Sequence, residues 1–265
     1  MLKDIFLSGL VPKYLSEHFC TESTVITAWV CSVIGIALVA YLLGSLNFAI
    51  IISGKQYRQD IRKFGSKNAG MTNMMRTYGK KAAGLTLLGD ALKAAVSCLV
   101  GYMVLGQYGA YIAGLFCIVG HVFPVYYRFQ GGKGVVTAAV TILMCNPIVF
   151  LILFVIFAII VLATKYISLG SIMCMLLYPI VLDRIERSML FHETPPDGCP
   201  YVIFAFLMTV LIVGKHWQNI VRLFHGQESK FSFKKSVKAP EEVSSDEGPT
   251  SEEPSAKKAS KKIKK

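Results

Sequence analysis

Two short stretches of this chain bring together residue types suited to holding a phosphate. The first is Gly65-Ser66-Lys67-Asn68-Ala69-Gly70-Met71-Thr72-Asn73, followed by Arg76; the second is Gly131-Gly132-Lys133-Gly134. Glycine lets backbone N–H groups approach an anion closely, hydroxyl and amide side chains add donors, and Lys or Arg supplies charge. In the first stretch Ser66 resembles a helix N-cap, and Thr72 and Arg76, at i and i+4, share a helix face. In the second, the glycines run into Val135-Val136-Thr137 and read as a nest that opens a helix. The spacing is not that of a Walker A loop, because the Ser/Thr after the lysine is missing. Candidate catalytic groups are therefore Ser66, Asn68, Thr72 and Lys133, with Gly70, Asn73, Arg76, Gly131, Gly132 and Gly134 as their anion-binding companions. The competing readings are a capped polar loop for the first stretch and a flexible turn with a snorkelling lysine for the second.

Further polar groups punctuate otherwise apolar sequence. Ser168, in Tyr166-Ile167-Ser168-Leu169-Gly170-Ser171, is placed to donate to a phosphate or to cap a helix, and the two roles are compatible. Lys215, His216, Asn219 and Arg222 cluster near the end of the last apolar run, with His216 and Asn219 on one face at i, i+3. Asp90 and Lys93 lie inside an apolar segment, where ionisable groups are costly; three residues apart, they read as a mutually neutralising pair. His121, in Gly120-His121-Val122-Phe123-Pro124, fits a packing role as well as a ligand-binding one. His192-Glu193-Thr194-Pro195-Pro196-Asp197 has the His-x4-Asp spacing of acyl-CoA-dependent glycerolipid acyltransferases. It falls in a loop on the other side of the membrane from the basic motifs, with two prolines between the partners, and reads as accidental.

The elements that must position these groups are apolar helices. Of the 265 residues, 54% are hydrophobic. Residues 134–182 carry one charge, Lys165, and residues 198–214 carry none. Runs of this kind indicate an all-α polytopic membrane protein. The first run begins near Val25 and is too long for a secretory signal core. Seven spans are predicted, at roughly 25–53, 82–104, 108–125, 134–145, 147–164, 168–183 and 199–220. Asn146-Pro147 marks a turn between the fourth and fifth, and the short fourth reads as a half-helix opening at the glycine loop. Lys and Arg concentrate in the loops after spans one, three and five, which places the N-terminus outside and the basic loops and C-terminus in the cytoplasm. The expected organisation is an N-terminal surface segment (1–24), a seven-helix transmembrane domain (25–226) and a disordered Lys-rich cytoplasmic tail (227–265). Absence of an internal repeat disfavours an inverted-repeat transporter.

Net charge is +12 and uneven. Residues 55–81 hold eight Lys/Arg against Asp60, and the tail from Glu228 holds ten lysines and seven acids. Serine and proline dispersed through that tail read as disorder, and its terminal lysines suit anionic lipid heads or plain solvation. Nucleic-acid binding is disfavoured, since no folded basic-aromatic module accompanies the charge. The seven cysteines show no Cys-x-x-Cys spacing, against a zinc site or disulfide framework.

Taken in order, these pieces resemble the bacterial acyl-phosphate:glycerol-3-phosphate acyltransferase family. The likeness runs from about Ala40 to Lys230. It includes Gly44-Ser45, the Gly-Ser-x-Asn-x-Gly-x-Thr-Asn core at 65–73, Arg76, and Asp90-x-x-Lys93. It continues through Gly-His-x-Phe-Pro at 120–124, Gly-Gly-Lys-Gly-Val at 131–135, Ser168-Leu-Gly-Ser171, and Asn219-Ile-x-Arg222-Leu. Asn47 and Phe48 stand where members often have proline and a small residue, and Ala69 replaces a common proline. The resemblance implies a seven-helix fold in a bacterial plasma membrane, with an inner-facing site. It also implies transfer of a fatty acyl group from acyl phosphate to the 1-hydroxyl of sn-glycerol 3-phosphate; the sequence itself indicates no metal or organic cofactor. Ser66, Arg76, Lys133, Ser168, His216 and Asn219 match positions that line the family's substrate site.

That chemistry suits the residues. Two phosphate-bearing substrates need two anion pockets. Lys133 and the backbone N–H groups of Gly131–Gly134, helped by Ser66, Asn68 and Thr72, are expected to hold the leaving phosphate. Arg76, Ser168, His216 and Asn219 are expected to clamp glycerol 3-phosphate. The inner loops offer few bases, chiefly Asp60 and His216, so the donor's own phosphate, with a second pKa near 6, is the expected proton acceptor. A transporter or binding protein for a phosphorylated solute, and an acyltransferase with another donor, are the competing classes.

Overall fold

The structure, a computed structural model, describes residues 9–11, 22–189 and 201–231. Most of the expected N-terminal surface segment, the His192–Asp197 pair and the tail beyond residue 231 lie outside the described residues. Every regular element among the described residues is helical. Helix α1 (Glu22–Gly44) is followed by α2 (Phe48–Tyr57), a 3-10 turn (Ile61–Lys63), α3 (Met71–Tyr78) and the long α4 (Lys80–Val122). A second 3-10 turn (Val125–Tyr127) precedes α5 (Val135–Cys145), α6 (Pro147–Thr164), α7 (Ile167–Met189), α8 (Val202–Lys215) and α9 (Trp217–Phe224). Four helical stretches are long and apolar enough to cross a membrane: Ser23–Tyr57, Lys80–Tyr127, Pro147–Thr164 and Ile167–Ser188. The pair α8–α9, bent by 58°, adds a fifth when taken as one span. Lipid rather than water is the natural neighbour of their outer faces, where Leu151, Phe154, Ile159 and Leu162 are exposed.

Three breaks decide the architecture. The first run, expected as one span over 25–53, interrupts at residues 45–47, where Asn47 caps α2 by accepting from the Ile50 N–H. Helix α4 is not one rod. Leu105 and Gly106 leave helical geometry, Gly106 at φ 60°, and divide it into two arms that match the expected segments 82–104 and 108–125. The arms fold back on each other, because a Cβ on Gly101 would lie 2.1 Å from the Gly109 carbonyl oxygen. Helices in lipid associate where small residues let backbones touch. The same device seats α1 on the second arm: a Cβ on Gly44 would meet the Cys117 carbonyl at 2.2 Å, and one on Gly120 the Tyr41 carbonyl at 2.2 Å.

The third break is at α5. Its 11 residues span about 16 Å, roughly half a hydrocarbon core, as expected of a half-helix. Gly134, at φ 78°, turns the chain into its first residue. Asn146 ends it, caps α6 by accepting from the Val149 N–H, and donates to the buried Glu186 carboxylate. Around α5 the core is close-packed by Tyr111, Ile118, Val122, Ile142, Tyr178, Met208 and Ile212. Helix α8 ends at Lys215; His216 is the corner, and α9 departs from it.

The hairpin crossing supplies a test. Gly109→Ala drives a methyl into backbone, an overpacking penalty of ~1–3 kcal/mol, whereas Gly84 has nothing within 4 Å of its Cβ position. The melting temperature of detergent-purified protein is expected to fall by several degrees for Gly109→Ala and to hold or rise for Gly84→Ala.

Candidate functional site

A cavity of about 1300 Å³ opens among α3, the first arm of α4, the loop before α5, α7 and the α8–α9 corner. All thirteen candidate residues border it: Ser66, Asn68, Gly70, Thr72, Asn73, Arg76, Gly131, Gly132, Lys133, Gly134, Ser168, His216 and Asn219. They come from four separated parts of the chain. Away from this polar mouth the wall becomes apolar, with Val136, Val140, Phe150, Phe154, Phe157 and Met175.

The first motif is built around Asn73. Its buried amide donates to the carbonyls of Phe64 at 3.0 Å and Asn68 at 3.1 Å, and accepts from the Ser66 N–H at 2.9 Å. The helix cap is Gly70, not Ser66; α3 starts four residues later than the Ser66 reading expects, because Gly65 and Lys67 take left-handed conformations, at φ 56° and 58°. Asn73 thus shapes the loop, while Ser66, Asn68, Thr72 and Arg76 remain available to a ligand. The two departures from the family pattern meet: the Asn47 amide donates to the Ala69 carbonyl at 3.3 Å, tying the start of α2 to this loop.

The second motif rests on the end of α4. The Gly131 and Gly132 N–H groups donate to the Val122 and His121 carbonyls at 3.3 and 3.1 Å, so they are already partnered rather than free for an anion. Their glycine character has a steric cause. A Cβ on Gly132 would strike His121 Nε2 at 2.3 Å and the Ala69 carbonyl at 2.5 Å. This contact also joins the two motifs directly. Arg62 adds a clamp, since its Nη1 donates to the Tyr127 and Gln130 carbonyls, both at 3.1 Å. What the glycine loop offers an anion is therefore Lys133, the Gly134 turn and the open first turn of α5.

Asp60 does not serve as a free base. Arg62 grips it through Nε and Nη2 at 2.7–3.0 Å, and that hydrogen bond holds its carboxyl below the usual range. It also lies away from the cavity wall. His216 is better placed. Its Nδ1 is 2.8 Å from the Ile212 carbonyl; a carbonyl only accepts, so Nδ1 carries the proton and Nε2 keeps its lone pair.

Sequence reasoning missed Glu228, which it assigned to the disordered tail. Residues 227–231 instead fold back over the site, with the Phe231 N–H donating to the Lys165 carbonyl at 2.7 Å and Arg76 to the Ser229 carbonyl at 3.3 Å. Glu228 accepts from Ser168 Oγ at 2.8 Å, Asn219 Nδ2 at 2.6 Å and Arg222 Nε at 2.8 Å. Asn219 Oδ1 in turn accepts from Lys133 Nζ. Around this carboxylate three cations, Arg76, Lys133 and Arg222, leave an excess of two positive charges, the charge of a fully ionised phosphate monoester. Burial first, and then the Arg222 and Arg76 charges, depress the Lys133 ammonium to about 8, against an opposing pull from Glu228. Burial raises the Glu228 carboxyl, but donors from Arg222, Asn219 and Ser168 outweigh it and the net direction is down. Ser168 spends its proton on Glu228, so it offers a ligand lone pairs rather than the donor its sequence suggests. Gly226, at φ 66°, turns the chain between Arg222 and this acid.

A family model described as glycerol-3-phosphate acyltransferase matches residues 34–226. The chain belongs to the glycerol-3-phosphate acyltransferase family. It is 39% identical over 198 residues to the glycerol-3-phosphate acyltransferase of Finegoldia magna, covering 74% of this chain and 94% of that one. With the Syntrophomonas wolfei enzyme it shares 40% over 197 residues, 74% and 96% of the two chains. Among solved structures it resembles PlsY, an integral membrane glycerol 3-phosphate acyltransferase, in its glycerol 3-phosphate form. That match has TM-score 0.66 and 32% identity, and covers 76% of this chain and 96% of PlsY. The lysophosphatidic acid form matches with TM-score 0.64 and 30% identity, covering 77% and 98%. The integral-membrane helical fold read from the sequence is thus the fold of the family.

Because the Glu228 carboxyl is depressed in the folded state, its stabilisation is present above the unfolded value of 4.5 and lost as pH falls through the folded one. Glu228→Gln is expected to melt several degrees below the parent at pH 7, with the gap closing as pH drops below about 4.5. A gap independent of pH would remove the charge from this account.

Proposed function

We propose that the protein transfers a fatty acyl group from acyl phosphate to the 1-hydroxyl of sn-glycerol 3-phosphate, yielding 1-acylglycerol 3-phosphate and orthophosphate. The reaction would take place at the cytoplasmic face of a bacterial plasma membrane and begin phospholipid synthesis. The carrying observation is one cavity that joins a cationic mouth to an apolar corridor. Such a shape suits a small dianion beside a second anion that trails a hydrocarbon chain. Counting α1, the two arms of α4, and α5 to α8 gives the seven passes of this reading, with the basic loops inside.

Arg76, Arg222 and Asn219 hold the phosphate of glycerol 3-phosphate, while Ser168 and His216 accept hydrogen bonds from its hydroxyls. Lys133, the first turn of α5, Ser66, Asn68 and Thr72 hold the phosphoryl end of the donor, whose acyl chain follows α5 and α6 into the bilayer. The 1-hydroxyl oxygen attacks the acyl carbon and forms the ester bond; the bond from that carbon to the bridging phosphate oxygen breaks. The hydroxyl proton passes to the departing phosphate, whose second pKa near 6 suits it. Phosphate is a good leaving group, so catalysis rests on positioning and on preorganised positive charge. The lone pair on His216 Nε2 supports a second reading in which His216 takes the proton first.

The direct experiment incubates purified protein with glycerol 3-phosphate and either acyl phosphate or acyl-CoA. Lysophosphatidate and orthophosphate are expected with acyl phosphate; product from acyl-CoA alone would overturn the donor assignment. His216→Gln is expected to raise KM for glycerol 3-phosphate with the acidic limb of the pH–rate profile unmoved. Loss of that limb would make His216 the base. Lys133 must be charged to bind phosphate, so kcat/KM is expected to fall as pH rises through about 8. In Lys133→Arg the alkaline decline should move upward by more than one pH unit, whatever the absolute rate.

A further inference from the structure

His121, Asp90 and Lys93 take no part in the chemistry so far, yet they form a buried polar cluster against the cavity. All three are almost fully enclosed, although α4 is otherwise an apolar helix. Lys93 Nζ lies 2.9 Å from the Gly44 carbonyl, 2.6 Å from the Leu46 carbonyl and 2.9 Å from His121 Nδ1. Those three acceptors use the three N–H groups of an ammonium. Asp90 Oδ1 lies 3.0 Å from Lys93 Nζ and farther, 3.5 Å, from His121 Nδ1, in ion-pair contact without a hydrogen bond of its own. Its carboxylate stands opposite the ammonium as the partner of a buried ion pair. An ammonium has no lone pair to accept with, so at 2.9 Å from Nζ His121 Nδ1 is the acceptor and the ring proton sits on Nε2.

That nitrogen faces the glycine loop, 2.3 Å from where a Cβ on Gly132 would be. His121 and Asp90 both border the cavity that holds Lys133. The Gly131 and Gly132 N–H groups are engaged by Val122 and His121 carbonyls, so the loop has fewer backbone donors than its sequence promises. The imidazole supplies a replacement. Its tautomer is opposite to that of His216, whose Nδ1 donates to a carbonyl and whose Nε2 is a lone pair.

We propose that His121 is a substrate-binding donor: its Nε2–H donates to the phosphoryl group of the acyl phosphate beside Lys133, with Lys93 and Asp90 as positioning residues that lock the tautomer. This rests on the reading given under Proposed function. It gives the cavity two histidines with opposite tasks, a donor on the acyl-phosphate side and an acceptor on the glycerol side. It also gives the buried ion pair a use beyond the anchoring of the Gly44 and Leu46 carbonyls, in return for the desolvation of charge.

The experiment uses the full chain in detergent micelles, with each substrate varied in turn. His121→Phe keeps a ring and removes the donor; His121→Gln restores an N–H near the Nε2 position. For His121→Phe, KM for acyl phosphate is expected to rise about tenfold or more, as for a lost hydrogen bond to a charged group, with KM for glycerol 3-phosphate within about twofold. His121→Gln should recover most of the lost affinity. Where the Phe variant does not fold, Gln against Asn makes the same comparison, because the Asn amide reaches only the Nδ1 position. Equal defects in Gln and Phe, or parallel rises in both KM values, would overturn the proposal. A second measurement does not depend on turnover: thermal stabilisation by inorganic phosphate should weaken in His121→Phe and return in His121→Gln. If the parent protein fails to use acyl phosphate at all, the proposed reaction falls while this phosphate arm still decides the role of His121.

Discussion

A charge placed among apolar helices persists only if neighbouring groups replace its water, and Lys93 shows how this chain meets that condition. Its ammonium collects the two carbonyls left open where α1 ends, a histidine nitrogen and a carboxylate. The Gly44 and Leu46 carbonyls lie where the first helix stops, beside Asn47, whose amide ties the start of α2 to the first glycine-rich loop. His121, from the far arm of the α4 hairpin, fixes where the second loop departs. One buried ammonium thus sets the relative position of two loops that lie some sixty residues apart in the chain. Glycines at 44, 101, 109 and 120 let the helices come close enough for this to happen.

The mouth of the cavity follows the same rule with the opposite balance. There the compensation is deliberately incomplete: Arg76, Lys133 and Arg222 surround Glu228 and leave positive charge over, which only an anionic ligand can match. Asn219 carries the coupling, accepting from Lys133 and donating to Glu228. Uncompensated positive charge at the mouth, beside an apolar corridor, is the property on which the proposed reaction of phosphate-bearing substrates rests. Fold and ligand class are thereby linked through one property, the distribution of uncompensated charge.

Helices and motifs were largely legible in the sequence because their causes are local. Long uncharged runs mark spans, Asn146-Pro147 marks a turn, and the α4 hairpin divides where segments 82–104 and 108–125 were separated. All thirteen candidate residues line one cavity. What failed was local detail set by distant partners. Ser66 looks like a cap, but left-handed Gly65 and Lys67 carry the chain past it to Gly70. Asn73 looks like a ligand donor, but its amide is spent on the carbonyls of its own loop. Asp60 looks like a free base, but Arg62 holds it. Glu228 sits in polar, low-complexity sequence whose composition reads as disorder, and nothing in its neighbours announces the three donors that await it.

The amino-acid order by itself determined that this is a helical membrane protein with two glycine-rich polar motifs, because hydropathy runs and glycine spacing act over a few residues. Tertiary structure alone decided which donors remain open, which carboxylate faces the cations, and on which nitrogens His121 and His216 carry their protons. Those properties depend on partners brought together from helices far apart in the chain, and hydrogen-bond pairing across such distances leaves no periodicity to read.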